Sequence, residues 1–328
     1  MRRREFITLL GGAAAAWPLV ARAQQAERVR RIGVLNSLAS NDSEGQTRIA
    51  AFVQGLQQAG WTVGRNLQID FRWAAGRVED HRKLAMELIA LKPEAILATG
   101  SAATAPLHAL SAVPVVFVNV IDPVGAGFVE SLARPGGNTT GFTQFEYSTS
   151  GKWLELLKEI APRVTRAAVL RDSALPSGLG QFAAIQSAAP GLGMEIKPVN
   201  VRTWAEIERG LVAFAGVPNG GFIVTGSSST VLYRNQIIGL AARLKTPAVY
   251  NQRFFVREGG LISYGPELHE QYRLAAGYID RILKGEKAAD LPVQSAAKYE
   301  LSINRKTAKA LGLDIPATLL ARADEVIE

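Results

Sequence analysis

Short apolar runs alternate with stretches whose apolar positions recur at helical spacing along most of this chain. Arg31–Asn36 is an apolar run that ends in polar residues, and in Ser43–Gly60 the residues Ile49, Phe52, Val53 and Leu56 fall three to four apart. That pattern predicts a strand, a loop and an amphipathic helix. Leu67–Phe71 alternates as a strand, His81–Leu91 reads as a helix stopped by Pro93, and Ala95–Thr99 as an apolar strand. Ser101–Leu110, containing Pro106, is expected to be helical, and Pro114–Val118 to be another buried strand.

The rhythm restarts after the Gly/Pro-rich stretch Arg134–Gly141. Helices are expected at Lys152–Ile160, Gly180–Ala189, Trp204–Phe214 and Val231–Leu244, with strands at Ala167–Leu170, Glu195–Val199, Gly221–Val224 and Ala248–Tyr250 between them. Gly260–Tyr264 and Tyr299–Ile303 read as strands, Leu268–Leu283 as a long helix, and Arg305–Leu311 as a helix closed by Gly312. Strands apolar throughout, separated by helices, are the mark of parallel sheets covered on both faces. The expected fold class is α/β: two doubly wound, Rossmann-like lobes joined by a hinge of several crossing strands. The reading assigns 28–142 plus 260–290 to lobe 1 and 143–259 plus 291–328 to lobe 2, with crossings near Thr143, Gly259 and Leu291. The glycines of Arg134–Gly141 are assigned to the chain's passage between lobes, where positive φ is needed.

The first 23 residues break this pattern. Arg2, Arg3 and Arg4 precede an apolar run, Ile7–Val20, and Ala21-Arg22-Ala23 offers the small residues that a signal peptidase requires. At 14 residues the run is shorter than the ~20 of a spanning helix. Residues 1–23 are therefore expected to be an export signal cleaved near Ala23, and Arg3-Arg4 before Phe6-Ile7 resembles the twin-arginine type. Removing it lowers the formal charge from +8 to +5, dispersed without basic runs, which argues against a nucleic-acid partner. The chain has no cysteine, so disulfides, thiolate nucleophiles and Cys-ligated metals are excluded together.

Ligands of open parallel sheets bind beyond the carboxyl ends of the strands. Candidate ligand-binding residues at those ends are Asn36 and Ser37 after the first strand, Gly100, Ser101 and Ala102 after the third, and Asn119 and Asp122 after the fourth. In the second half they are Arg171, Asp172 and Ser173, then Thr225, Gly226 and Ser227, then Tyr250 and Asn251. Enzyme signatures mostly fail: there is no Gly-x-Ser-x-Gly elbow and no phosphate loop, no dinucleotide fingerprint follows the first strand, where Asn36-Ser37-Leu38-Ala39 stands instead, and His81, His108 and His269 have no ligand spacing. No catalytic residue, metal or cofactor is expected.

Ser131–Gly141 (SLARPGGNTTG), Asp122-Pro123-Val124, Gly259–Gly265 (GGLISYG), Asp290–Val293 (DLPV) and the ending Asn304–Glu328 (NRKTAKALGLDIPATLLARADEVIE) together resemble the ABC-transporter substrate-binding family that includes tryptophan- and tyrosine-binding lipoproteins. The resemblance covers nearly the whole chain after the signal. It implies a type I periplasmic binding fold, a small ligand clamped between lobes, and permease and ATPase partners in the membrane; no enzymatic activity is implied, and the protein is expected to be a monomer. It places Ser37, Ser101, Ala102, Asn119 and Asp122 on the first-lobe side of the cleft. Asp172, Ser173, Thr225, Gly226, Ser227 and Asn251 fall on the second. Without a lipobox cysteine, the protein is expected to be free in the periplasm. Amino-acid-binding relatives often carry an aspartate after the strand that ends here at Val224, where this chain has Gly226-Ser227-Ser228-Ser229. The expected ligand carries a carboxylate, held near Ser37 and Ser101-Ala102, with Asp172 left as the counter-charge for any amine. An amino acid and an aromatic or aliphatic acid stay open, as do a sensor-linked binding protein and an exported α/β enzyme.

Overall fold

A computed structural model describes residues 29–328, so the expected export signal lies outside the described residues. The chain builds two sheets. Into the first run β1 (Arg30–Asn36), β2 (Leu67–Trp73), β3 (Ala95–Thr99), β4 (Val115–Val120) and β5 (Thr139–Thr143), with helices α1 (Ser43–Gln58), α2 (Asp80–Ala90) and α3 (Ser101–Leu110) between them. Into the second run β6 (Arg166–Arg171), β7 (Glu195–Asn200), β8 (Gly220–Val224), β9 (Ala248–Tyr250) and β10 (Ile262–Pro266). Its helices are α4 (Gly151–Ile160), α5 (Pro176–Ala188), α6 (Trp204–Ala215), α7 (Ser228–Leu232), α8 (Arg234–Arg243) and α9 (Arg253–Arg257). The chain then returns with α10 (His269–Leu283), β11 (Gln294–Ser295), β12 (Tyr299–Asn304), α11 (Arg305–Ala310), α12 (Ala317–Ala321) and β13 (Glu325–Ile327).

Strand order is β11-β5-β4-β3-β1-β2 in one sheet and β13-β12-β10-β9-β8-β6-β7 in the other, parallel except for β10 against β12. Both lobes thus repeat one doubly wound order, 2-1-3-4-5, whose direction reverses between β1 and β3 and between β6 and β8. The lobes also exchange helices. The chain leaving β5 enters α4, which packs on β8, β9 and β10, and the chain leaving β10 enters α10, which packs on α1, β3, β4 and β5. Each sheet is sandwiched by apolar clusters on its two faces, with Phe52 and Phe142 in the first lobe and Trp153 and Phe222 in the second wholly or almost wholly buried.

Several expectations shift. Patterning assigns Gly260–Tyr264 to lobe 1, but β10 pairs with β9 and β12 in the second sheet, so the crossing follows Pro266; likewise β11 pairs with β5, so the last crossing follows Ser295. An apolar strand reads the same in either sheet, and only pairing assigns it. Arg134–Gly141 does not cross between lobes: it ends in β5, an interior strand of the first sheet. At Gly141 (φ +150°) a Cβ would stand 2.0 Å from the Phe117 carbonyl oxygen, beside a register shift between β4 and β5. This glycine serves close strand approach. The single helix expected over Val231–Leu244 is two, because a Ser227–Thr230 capping box starts α7 early and Tyr233 (φ −97°, ψ 16°) leaves helical geometry. Helix α5 starts at Pro176, whose ring presets φ for a first turn, ahead of the expected Gly180.

Candidate functional site

The carboxyl ends of β1, β3 and β4 face those of β8 and β9 across a cleft with a cavity of ≈50 Å³. It lies beside both points where strand order reverses, where open α/β sheets leave a crevice. On the first-lobe side, Ser37 follows β1; its N–H donates to the Thr99 hydroxyl (3.0 Å) and its own hydroxyl donates to the Thr99 carbonyl (2.5 Å). His81 Nε2 lies 3.0 Å from the Ser37 hydroxyl, and burial pulls the imidazole below its ordinary pKa against the backbone carbonyls of Val78 and Arg77. His81 backs the cleft wall without lining it.

Gly100 takes φ +82°, turning β3 into α3 so that Ser101 and Ala102 open onto the cleft. The buried Ser101 hydroxyl has no partner. Asn119 is held in the left-handed region (φ +57°) with its N–H on Gln271 Oε1 (3.2 Å), and its Oδ1 is also buried without a partner. Non-glycine residues adopt that conformation at a cost of about 1–3 kcal/mol, and such strain clusters at functional sites.

On the second-lobe side, Gly226 is pinned at both backbone groups by Gln181 (2.9 and 3.2 Å), and a Cβ there would meet Asn251 Nδ2 and Ile121 at 2.9 Å. Ser227 caps α7. Asn251 Oδ1 and the neighbouring Gln252 Nε2 are buried and unpartnered.

Of the residues expected from sequence, Ser37, Gly100, Ser101, Ala102, Asn119, Gly226, Ser227 and Asn251 line this cleft, and seven do not. Asn36 lies beneath it, its Oδ1 taking the Leu38 N–H and the Thr99 hydroxyl. Asp122 (φ +43°) accepts from Gly125 N–H (2.8 Å), closing its own turn. Arg171 stacks on Phe182, 4.6 Å from the ring centroid. Asp172 accepts from Ala174 N–H (3.0 Å); burial raises its carboxyl pKa more than that bond and Arg202 lower it. Ser173, in the same loop, stays outside. Thr225 turns its hydroxyl inward to the Leu170 carbonyl (2.6 Å). Tyr250 is core, stacked on Phe255 at 5.0 Å, with burial pushing its hydroxyl pKa up. Asp172 therefore cannot serve as the counter-charge for a ligand amine in this cleft.

Patterning left other lining residues unmarked: Arg48, Gln144, Ser177, Gln252, Phe254 and Tyr272. For Arg48 the signal existed. The buried stripe of α1 runs Gly45, Arg48, Ile49, Phe52, Gly55, Leu56, so a charged residue occupies a position that helical spacing reserves for the core. Arg48 is 3% exposed. Its Nη2 lies 3.4 Å from Glu44, its guanidinium carbon 5.7 Å from the Phe254 ring centroid, and its Nε has no partner. Tyr272, from α10, is pushed up in pKa by burial, against the lowering effects of Arg48 and Thr99.

The lobes also meet at the rim. Arg234 of α8 reaches Asp42, the N-cap of α1, at 2.6 Å and Glu258 at 2.9 Å, and the Gly76 loop packs against Leu232. Among the described residues no cluster of His, Cys, Asp and Glu could hold a metal ion.

Known proteins share this architecture. A domain from Streptococcus pneumonia solved in complex with L-Trp has a TM-score of 0.83 at 24% identity, covering 91% of this chain and 99% of its own. The ligand-free, open structure of a substrate binding protein with adhesive properties from Clostridium difficile covers the same shares at 24% identity with a TM-score of 0.64. Among curated proteins, a tyrosine-binding protein of Clostridioides difficile is 26% identical over 269 residues, which are 80% of this chain and 75% of that one. The model of the family described as ABC transporter substrate binding protein matches residues 32–327, from within β1 to the end of β13, and the chain belongs to that family.

Proposed function

We propose that this protein is an exported, monomeric solute-binding protein that closes two lobes around one small ligand in the periplasm and presents it, unchanged, to a membrane permease driven by an ATPase. The observation that carries the reading is the convergence of orphaned polar atoms on one cleft. Arg48 Nε, Ser101 Oγ and Asn119 Oδ1 from one lobe, and Asn251 Oδ1 and Gln252 Nε2 from the other, are buried without partners. Leaving such a group unpaired costs about 1–3 kcal/mol each, and a polar solute enclosed between the lobes would satisfy several at once. The arginine-led leader before an apolar run supports export.

Closure is part of the proposal. The fold lies nearer the relative solved with L-Trp than the ligand-free open one, and the cavity is smaller than the ~150 Å³ void that admits benzene, so an aromatic-sized solute enters only with the lobes apart. The chain passes between lobes after Thr143, Pro266 and Ser295, which is where bending would concentrate. The test is a thermal-shift screen of amino acids and carboxylic acids, followed by small-angle scattering. A ligand at ~100 times its Kd should add about 2.7 kcal/mol of stability and reduce the radius of gyration. A protein that no small solute stabilises or compacts is not a solute-binding protein of this kind.

A further inference from the structure

The charge inside the cleft is one-sided. Among the described residues that line it, Arg48 is the only charged one, and none is an aspartate or glutamate. Asp122 and Asp172, which follow neighbouring strands, are spent on their own turns outside it. The Arg48 guanidinium has one anionic contact, Glu44 at 3.4 Å on the same helix, and its Nε has none. A guanidinium binds a carboxylate best through two parallel hydrogen bonds, and the neutral partners of Arg48, a hydrogen bond with Tyr272 and the Phe254 ring face, leave it with only the 3.4 Å Glu44 contact to offset its charge, so much of its desolvation cost remains.

An ammonium entering the same space would face the opposite problem. The unpartnered acceptors, Asn119 Oδ1, Asn251 Oδ1 and the Ser101 hydroxyl, are all neutral. They match a hydroxyl or carbonyl-bearing solute, but they supply no charge to offset the desolvation of a cation beside Arg48.

Resting on the solute-binding reading above, we infer that the ligand is an organic acid without an α-ammonium group, its carboxylate paired with Arg48. This sets the chain apart from the tyrosine-binding relative named above.

Calorimetry on the full mature protein with acids and amino acids that differ only in the amine tests it: 3-phenylpropionate against L-phenylalanine, and butyrate against L-2-aminobutyrate. In at least one pair the acid should bind at least tenfold tighter. Arg48→Gln should weaken that acid at least thirtyfold, Arg48→Lys should retain part of the loss, and circular dichroism should show both variants folded. An amino acid that binds as tightly as its acid, an acid whose affinity survives in Arg48→Gln, or no binding of either acid overturns the inference. Native mass spectrometry after incubation with a mixed extract of small solutes separates this from the parent reading. A bound amino acid there refutes the acid preference and leaves the solute-binding role standing, whereas no bound solute at all refutes both.

Discussion

The first lobe brings to the cleft a buried guanidinium, a backbone-strained asparagine and the N-terminus of a ten-residue helix. The second lobe, built on the same 2-1-3-4-5 strand order, brings the neutral amides of Asn251 and Gln252, the Ser227 hydroxyl and the Phe254 ring. Equal topology therefore carries unequal chemistry. Charge is fixed on one side, and the other side supplies hydrogen bonds and apolar cover, so the proposed closure implies a ligand seated first on lobe 1 that gains its remaining contacts from lobe 2. The division follows from where charge enters the cleft: Arg48 comes from the buried stripe of α1 in the first lobe, whereas Asp172, at a strand end of the second, turns into its own loop.

The most severe way to break this comparison is to empty one core at a time. Phe52→Ala in lobe 1 and Phe222→Ala in lobe 2, both wholly buried, should each cost about 3–5 kcal/mol in urea unfolding. Native-state amide exchange should show the altered sheet opening before its partner. Simultaneous opening of both sheets in either variant would mean that the exchanged helices α4 and α10 weld the lobes into one folding unit.

A smaller effect is expected at the rim. Asp42→Asn keeps the cap on α1, since asparagine caps as well as aspartate, but removes the charge that holds Arg234 across the cleft. Hydrogen bonds between charged groups contribute about 1.5–3 kcal/mol, so the closed arrangement should lose roughly that much. Small-angle scattering of the ligand-free variant should report a larger radius of gyration than the parent, and an unchanged value would remove Asp42–Arg234 from the closure mechanism.

Acidification should widen the contrast between lobes more gently. His81, in lobe 1, has a pKa lowered from 6.5, so the unfolded chain takes up its proton first and lobe 1 loses stability as the pH falls below about 6.5. Asp172, in lobe 2, has a pKa raised from 3.8, so its contribution has the opposite sign: it is present at low pH and lost as the pH rises through its folded value. Between the lobes, Glu267 is held down to about 2, first by its hydrogen bond from His269, so its stabilisation is present above about 4.5 and lost from there down to about 2. Urea midpoints at pH 7 and pH 5 should show lobe 1 weakened and lobe 2 little changed, and His81→Gln should flatten the lobe 1 difference. Equal weakening of both lobes would contradict the assignment.

The smallest effect is a deliberate near-zero. Asp172→Asn should change affinity for the cognate solute less than threefold, about 0.7 kcal/mol, because the carboxyl serves Ala174 N–H and does not line the cleft. A tenfold loss on calorimetry would return Asp172 to the site.

Apolar runs and helical spacing by themselves determined the α/β class, the two-lobed repeat and most strands and helices, because burial on both faces of a parallel sheet leaves a periodicity that any local window contains. The same patterning marked Ser37, Gly100, Ser101 and Asn119, since polar residues at strand ends are visible in one dimension. Sheet membership was not. Ile262–Pro266 and Gln294–Ser295 joined the sheet whose edge was open to them, a choice made by hydrogen bonding to partners in other parts of the chain, Phe142 and Thr143 for Gln294–Ser295, and Val249, Tyr250 and Tyr299–Ile303 for Ile262–Pro266. Nor could sequence say which strand-end residues turn toward the cleft: Asp172, Thr225 and Tyr250 follow the same rule as Ser37 yet face their own loop or core. Arg48 and Tyr272 reach the site from helix interiors, α1 and α10, which the exchange of helices between lobes brings together. Charge on an apolar stripe was legible in the chain, but the cavity that gives it meaning exists only once both lobes are folded.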